Sequence, residues 1–309
     1  MRGLEAEAVA VVERLGFANL GVLGAGIEGV VVAISDETVA KVWSRRSYDD
    51  LVLLRGFLEA VEGAEDAPAF PRIHDVLDLD GTWVTVERRL RGRPLWEADG
   101  SSPDLATGDV DAMTEALAAL AAVPGSPALR SLPVLPDEPA FGATRPFELE
   151  LADLVRRRAS RFGSFLAAAR PDVEAVAAGT VRALETLTPA EPALVHGDLI
   201  AANVLVADGR ASAVLDFGFL STAGDPAFDA AVTASVFDMW GPRAREVERE
   251  LDAAFTSAFG HDPARLATHR AAYALVTACC FGTDLSDGHF AWCLAMLDRG
   301  DVREAVGQA

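Results

Sequence analysis

Apolar residues in the first ninety positions recur in short runs rather than long stripes. Residues 4 to 15 carry a helical pattern that breaks at Gly16. Short strand-like runs follow at Gly21-Val22-Leu23, Val30 to Ile34 and Val39 to Trp43. The turn Ser35-Asp36-Glu37 between the last two predicts a hairpin. Ser47, with Asp50 three positions on, signals a helix start, and Leu51, Leu54, Leu58 and Val61 continue it at helical spacing. Residues 62 to 71 hold Gly and Pro and read as a loop. Two further strands, 72 to 79 and 82 to 87, are joined by Asp80-Gly81, a strong hairpin signal.

The pattern changes beyond Arg91-Gly92-Arg93-Pro94, which reads as a linker. Ala- and Leu-rich helical periodicity dominates at 109–123, 147–169, 171–187, 226–240, 243–259 and 264–282. One β-rich island, 193 to 219, interrupts it. The pattern predicts an α+β chain with a small β lobe, residues 1–93, holding one main helix, and a larger helical lobe, residues 94–309.

Composition narrows the class. Half of the 309 residues are hydrophobic, enough for a sizeable core. No apolar run approaches the ~18 residues that span a bilayer, and acidic residues interrupt the N-terminus early, so a cytosolic protein without a membrane partner is expected. Three cysteines, Cys279, Cys280 and Cys293, in one helical region do not make a disulfide framework. A net charge of −20 disfavours nucleic acid as partner and would steer a cationic small molecule favourably.

Two features of the first lobe carry chemistry. Gly24-Ala25-Gly26-Ile27-Glu28-Gly29 fits G-x-G-x-x-G. A dinucleotide-binding loop would open a helix, but β-branched Val30-Val31-Val32 follows, and the Lys-Ser/Thr of a Walker motif is missing. A glycine turn between two strands, of the kind that covers phosphates in protein kinases, is what remains. Gly24, Gly26 and Gly29 would let backbone N–H groups approach phosphate oxygens. Lys41, inside the apolar strand Val39 to Trp43, is costly there unless paired or bound to an anion. In the kinase arrangement it touches nucleotide phosphates and pairs with an acid on the next helix. Asp50 is the favoured acid, with Glu59 the alternative.

The island holds His196-Gly197-Asp198, Asn203 and then Asp216-Phe217-Gly218, all flanked by apolar runs. Such flanks place the polar residues at strand ends or tight turns. Phosphoryl transfer needs a group to take or orient a hydroxyl proton and oxygen ligands for Mg²⁺. Asp198 fits the base, Asn203 a metal ligand and Asp216 the main metal ligand.

These residues resemble the aminoglycoside phosphotransferase and choline kinase-type family. H-G-D-x-x-x-x-N matches His196, Gly197, Asp198 and Asn203; the D-F-G-like motif matches Asp216, Phe217 and Gly218; a G-D-P-x-x-D pattern matches Gly224, Asp225, Pro226 and Asp229. The resemblance spans roughly residues 15 to 300. It implies a protein-kinase-like fold, ATP (GTP remaining open) and Mg²⁺ as cofactors, and a small-molecule hydroxyl acceptor. It further implies that backbone groups near Glu87 and Arg89 bond the adenine edge, that His196 holds loop geometry, and that Asp225 or Asp229 buttresses the catalytic loop through its amides. Asp225-Pro226 also reads as a helix cap followed by Pro at the first helical position. Asp284 and Asp287, in a polar loop with His289, are candidates for an amine-bearing acceptor.

Two departures bear on the acceptor. Ile200-Ala201-Ala202 stands where the family often carries polar or Pro-Gly residues, and protein kinases carry H-R-D and an A-P-E triplet that this chain lacks. A small molecule is therefore favoured over a protein substrate. An aminoglycoside or similar aminated polyol leads; choline, homoserine or an amino sugar, and a nucleotide-binding protein without turnover, are the alternatives.

Overall fold

The computed structural model describes residues 2–26, 28–61, 63, 67–96 and 104–308. Helix α1 (Arg2–Arg14) precedes β1 (Val22–Ala25), β2 (Gly29–Ala33), β3 (Thr38–Trp43), α2 (Tyr48–Glu59), β4 (Ile73–Leu79) and β5 (Thr82–Arg88). The five strands form one antiparallel sheet in the order β1-β2-β3-β5-β4, which puts β3 at its centre. Asp80 and Gly81 both have positive φ, 53° and 85°, as the tight β4–β5 turn requires. Helix α2 begins with a reciprocal capping box between Ser47 and Asp50 and buries Leu51, Leu54, Phe57 and Leu58.

The last two residues of the expected linker form a short strand. Arg93 and Pro94 (β6) pair with Val206 and Leu205 of β8 (Val204–Ala207), itself paired with β9 (Arg210–Val214). Gly92, at φ 128°, permits this approach, because a Cβ there would lie 2.5 Å from the Ser212 hydroxyl. Helices α3 (Thr107–Ala121), α4 (Phe147–Ala169) and α5 (Val173–Thr186) lead to a second small sheet, β7 (Ala193–Val195) with β10 (Thr222–Gly224). Then come α6 (Pro226–Val236), α7 (Ala244–Phe259), α8 (Pro263–Thr277), α9 (Gly288–Leu297) and α10 (Gly300–Ala305). Helices α6 and α8 end earlier than their periodicity suggests, and α9 and α10 are additions to the predicted elements.

One hydrophobic cluster runs from Trp43, Leu51 and Phe57 through Phe70 and Phe217 to Leu120, Leu199 and Ala230. It therefore ties α2 and the sheet to the island and the helices behind it. A second cluster, centred on Phe147, Leu154, Phe228 and Phe290, is confined to the helical part. No helix among the described residues is long and apolar enough to cross a membrane.

Candidate active site

The glycine turn joins β1 to β2 and closes with Gly26 N–H donating to the Gly29 carbonyl at 2.9 Å. Its glycines differ in cause. A Cβ on Gly29 would stand 2.1 Å from the Val42 carbonyl, so the approach of β3 demands glycine there. Among the described residues, chain neighbours aside, nothing lies within 4 Å of a Cβ on Gly24 or Gly26. Ile27 lies outside the described residues.

Lys41 stands in mid-β3 opposite Thr85. Its ammonium meets Asp216 Oδ1 at 3.0 Å and Glu28 Oε2 at 3.6 Å, and lies 3.9 Å from the centre of the Trp43 ring. Burial works against this charge, but Asp216, then Glu87 and Glu28, outweigh it and raise the lysine above its ordinary range.

The acid expected from α2 does not reach Lys41. Asp50 accepts from the Ser47 N–H at 2.9 Å and the Ser47 hydroxyl at 2.7 Å, contacts that hold its carboxyl below the usual range. Glu59 lies 3.9 Å from Arg55, one turn back on the same helix. Helix capping has claimed Asp50 because its short side chain returns to its own N-terminus before it can cross to β3. Leu54 and Leu58 face the lysine instead, lining one cleft with Lys41, Trp43, Glu87, Asp216 and Phe217.

At the expected adenine edge, one backbone group already has a partner. The Arg89 N–H donates to the Glu37 carbonyl at 2.7 Å, and its guanidinium to the Ser35 carbonyl at 3.1 Å, so that amide is already engaged within the sheet. Glu87 pairs with Val39 on one side and Ile73 on the other. Its side chain, which sequence reasoning passed over, faces the cleft, where burial raises its carboxyl and Lys41 pulls it back.

The turn that carries Asp198 is built around buried His196. Its Nδ1 accepts from the Asp198 N–H at 3.2 Å, so Nε2 carries the proton and donates to the Leu215 carbonyl at 2.7 Å. Burial pushes this imidazole down to about 4, which keeps it neutral and suits it to holding two turns together. Ser221 adds a tie absent from the sequence reading: its hydroxyl accepts from Gly218 N–H at 2.8 Å and donates to the His196 carbonyl at 2.6 Å. Gly197 has φ 87°, and a Cβ there would lie 2.5 Å from the Phe219 carbonyl.

Asp229, at the start of α6, accepts the His196 and Gly197 N–H groups at 2.7 and 2.8 Å. Burial nevertheless pushes this carboxyl up to about 7. Asp225 has other work. It caps α6 through the Ala227 N–H at 3.0 Å and meets Arg265 at 2.6 Å and His269 at 2.5 Å, which hold it well below the carboxylate range despite burial.

Asp198 is half-buried, and no hydrogen bond to its carboxylate is found among the described residues. Burial first, then Asp216, pushes it up to about 6. Asn203, in a 3₁₀ turn, donates Nδ2 to the Asp198 carbonyl at 3.1 Å, which leaves its amide oxygen as an acceptor. Asp216 adopts φ 64°, and against the cost of partial desolvation Lys41 lowers its carboxyl. The amide oxygen of Asn203 and the carboxylate of Asp216 are hard oxygen donors. They suit Mg²⁺, which takes one or two protein ligands and leaves positions for phosphate oxygens and water.

Asp284 and Asp287 each make a local hydrogen bond, and the second carboxylate oxygen of Asp287, Oδ2, is buried without a partner among the described residues. Asp284 accepts the Ser286 N–H at 2.8 Å, and Asp287 caps α9 through the His289 N–H at 3.0 Å. His289 meets the Thr277 hydroxyl at 3.0 Å and stacks on Trp292.

A strand lysine tied to a metal-type aspartate in the neighbouring turn, beneath a glycine turn of an antiparallel sheet, is the arrangement of a protein-kinase-like fold. The model of the phosphotransferase enzyme family (APH) matches residues 20–269, and the chain belongs to that family. No curated protein matches it. Among solved structures it is similar to aminoglycoside phosphotransferase APH(4)-Ia in a ternary complex with ADP and hygromycin B, with TM-score 0.65, 18% identity, and 97% of this chain and 98% of that one covered. It is similar also to macrolide 2′-phosphotransferase MphH from Brachybacterium faecium, with TM-score 0.58, 18% identity and coverage of 94% and 98%. The streptomycin–ATP complex of APH(2″)-IIa follows at TM-score 0.55, 17% identity and coverage of 87% and 86%. At such identities the likeness establishes a shared fold.

Proposed function

We propose that this phosphotransferase moves the γ-phosphate of ATP to a hydroxyl of a small cationic molecule, an aminoglycoside or a similar aminated polyol. The observation that carries the reading is the uncommitted Asp198 carboxylate beside the Lys41–Asp216 pair. Asp198 accepts and orients the acceptor hydroxyl proton. Lys41 and the backbone at Gly24 and Gly26 hold the nucleotide phosphates. Asn203 and Asp216 would hold Mg²⁺, which when bound neutralises charge on the phosphates. Residues 1–93 serve as the nucleotide lobe and 94–309 as the acceptor lobe. The net charge of −20 supports a cationic acceptor.

A second acceptor class has its own support. Phe219, directly after the Asp216 turn, stacks on Phe281, which is 66% exposed; Trp240 and Leu285 are 65% and 64% exposed. Such apolar surface suits an amphiphilic acceptor of the macrolide kind. ADP release from ATP and Mg²⁺ against aminoglycosides, macrolides, choline, homoserine and amino sugars tests both. Turnover with an aminated polyol supports the first, turnover with macrolides alone supports the second, and none with either class contradicts both.

A further inference from the structure

No acid on α2 reaches Lys41 among the described residues, yet the lysine has a half-buried carboxylate on its own sheet. Lys41 lies opposite Thr85, and Val39 opposite Glu87, so Lys41, Trp43, Thr85 and Glu87 share one face of the sheet. That face is wired. The Trp43 indole N–H donates to the Thr85 hydroxyl at 2.8 Å, and that hydroxyl donates its only proton to Glu87 Oε1. The relay fixes the Glu87 carboxylate in the cleft that it lines with Lys41 and Asp216.

The other two acids near Lys41 are differently committed. Glu28, on the glycine turn, is bound to Arg46 at 2.6 Å and has a 38% exposed side chain. Asp216 is the metal ligand of the proposed reaction, so it cannot serve as the standing partner of the lysine. Among the described residues Glu87 has no cation within ion-pair reach, and the field it supplies falls on Lys41.

We propose that Glu87 is the positioning residue for Lys41: from β5 it holds the ammonium toward the nucleotide phosphates, the task that an acid on α2 was expected to perform. The proposal rests on the ATP-dependent reading above. It assigns the Glu87 side chain a role independent of any adenine contact by its backbone.

A double-mutant cycle tests it, with Mg·ATP affinity measured by calorimetry on the full chain. Glu87→Gln keeps the side-chain shape and an oxygen to accept from Thr85. It is expected to weaken binding about tenfold, and Lys41→Ala at least as much. Because Glu87 acts through Lys41, the double variant should bind like Lys41→Ala alone. Glu87→Asp, which keeps the charge, should bind within about threefold of the wild type. Wild-type affinity in Glu87→Gln, losses that multiply in the double variant, or Glu87→Asp binding as poorly as Glu87→Gln would overturn the proposal. A wild-type chain without Mg·ATP affinity would overturn the phosphotransfer reading itself, whereas affinity that depends on Lys41 but not on Glu87 sinks only this inference.

Discussion

Lys41 and Asp216 stand 175 positions apart in the chain, and the ammonium meets the carboxylate at 3.0 Å. The contact joins the centre of the five-stranded sheet to the turn that follows β9. Each residue is placed by its own neighbours: Lys41 by β2 and β5 on either side, Asp216 by the turn that His196 and Ser221 hold. The pair is therefore formed by the fold itself, without a ligand to assemble it. Its worth to stability should be small, about 1 kcal/mol or less, because the Asp216 side chain is 47% exposed. Lys41→Ala should accordingly melt near the wild type while losing most of its nucleotide affinity, as thermal denaturation and calorimetry would show.

The glycines of the turn should separate into two kinds. Gly29→Ala forces a Cβ against the Val42 carbonyl and should destabilise the fold by about 2 kcal/mol or more. Gly24→Ala and Gly26→Ala meet nothing among the described residues, so both should melt like the wild type yet bind Mg·ATP more weakly. Melting temperature and nucleotide affinity together check the split.

Asp50→Ala should cost about 1 kcal/mol through loss of the α2 cap. Nucleotide affinity should not change, since Asp50 turns back to Ser47. A large loss of affinity at unchanged stability would restore Asp50 as the partner of Lys41.

Asp229 offers two acceptor oxygens to two buried N–H donors. Asp229→Asn replaces one oxygen with a donor and leaves one backbone N–H unsatisfied. About 1–3 kcal/mol of stability should be lost, with activity falling more than tenfold as the turn that carries Asp198 loosens. Urea denaturation and steady-state kinetics would measure the two effects.

The proposed base carries a pH signature. Its folded-state carboxyl, at about 6, lies above the ordinary value of 3.8. Between those values the folded chain binds more protons than the unfolded one, so ionising Asp198 costs stability as pH rises through the window. Asp198→Asn removes that cost. The variant should nearly match the wild type near pH 4 and exceed it by up to about 3 kcal/mol above pH 6, while kcat/KM of the wild type should fall on acidification through about pH 6.

What could be read from the sequence follows from range. The β4–β5 turn, the α2 start and the His196 to Gly218 island are contiguous, and their residues act within a few positions of one another. The same locality misled at Asp50: Ser47 and Asp50 spell a capping box, and a carboxylate in that box has no reach left for Lys41. The Glu87 side chain was hidden because its direction depends on the β3–β5 register, which no local pattern states. Arg91 to Pro94 looked like a linker because a two-residue strand is too short to show alternation. Ser221 was missed because a lone serine between apolar runs gives no periodic signal.

The most direct measurement is ADP formation with ATP, Mg²⁺ and a panel of aminoglycosides, comparing the wild type with Asp198→Asn at matched nucleotide saturation. The account predicts acceptor-dependent turnover in the wild type and a loss of at least a hundredfold in the variant, with Mg·ATP affinity retained. Turnover that survives the substitution, or a wild type that binds nucleotide and transfers nothing, would contradict it.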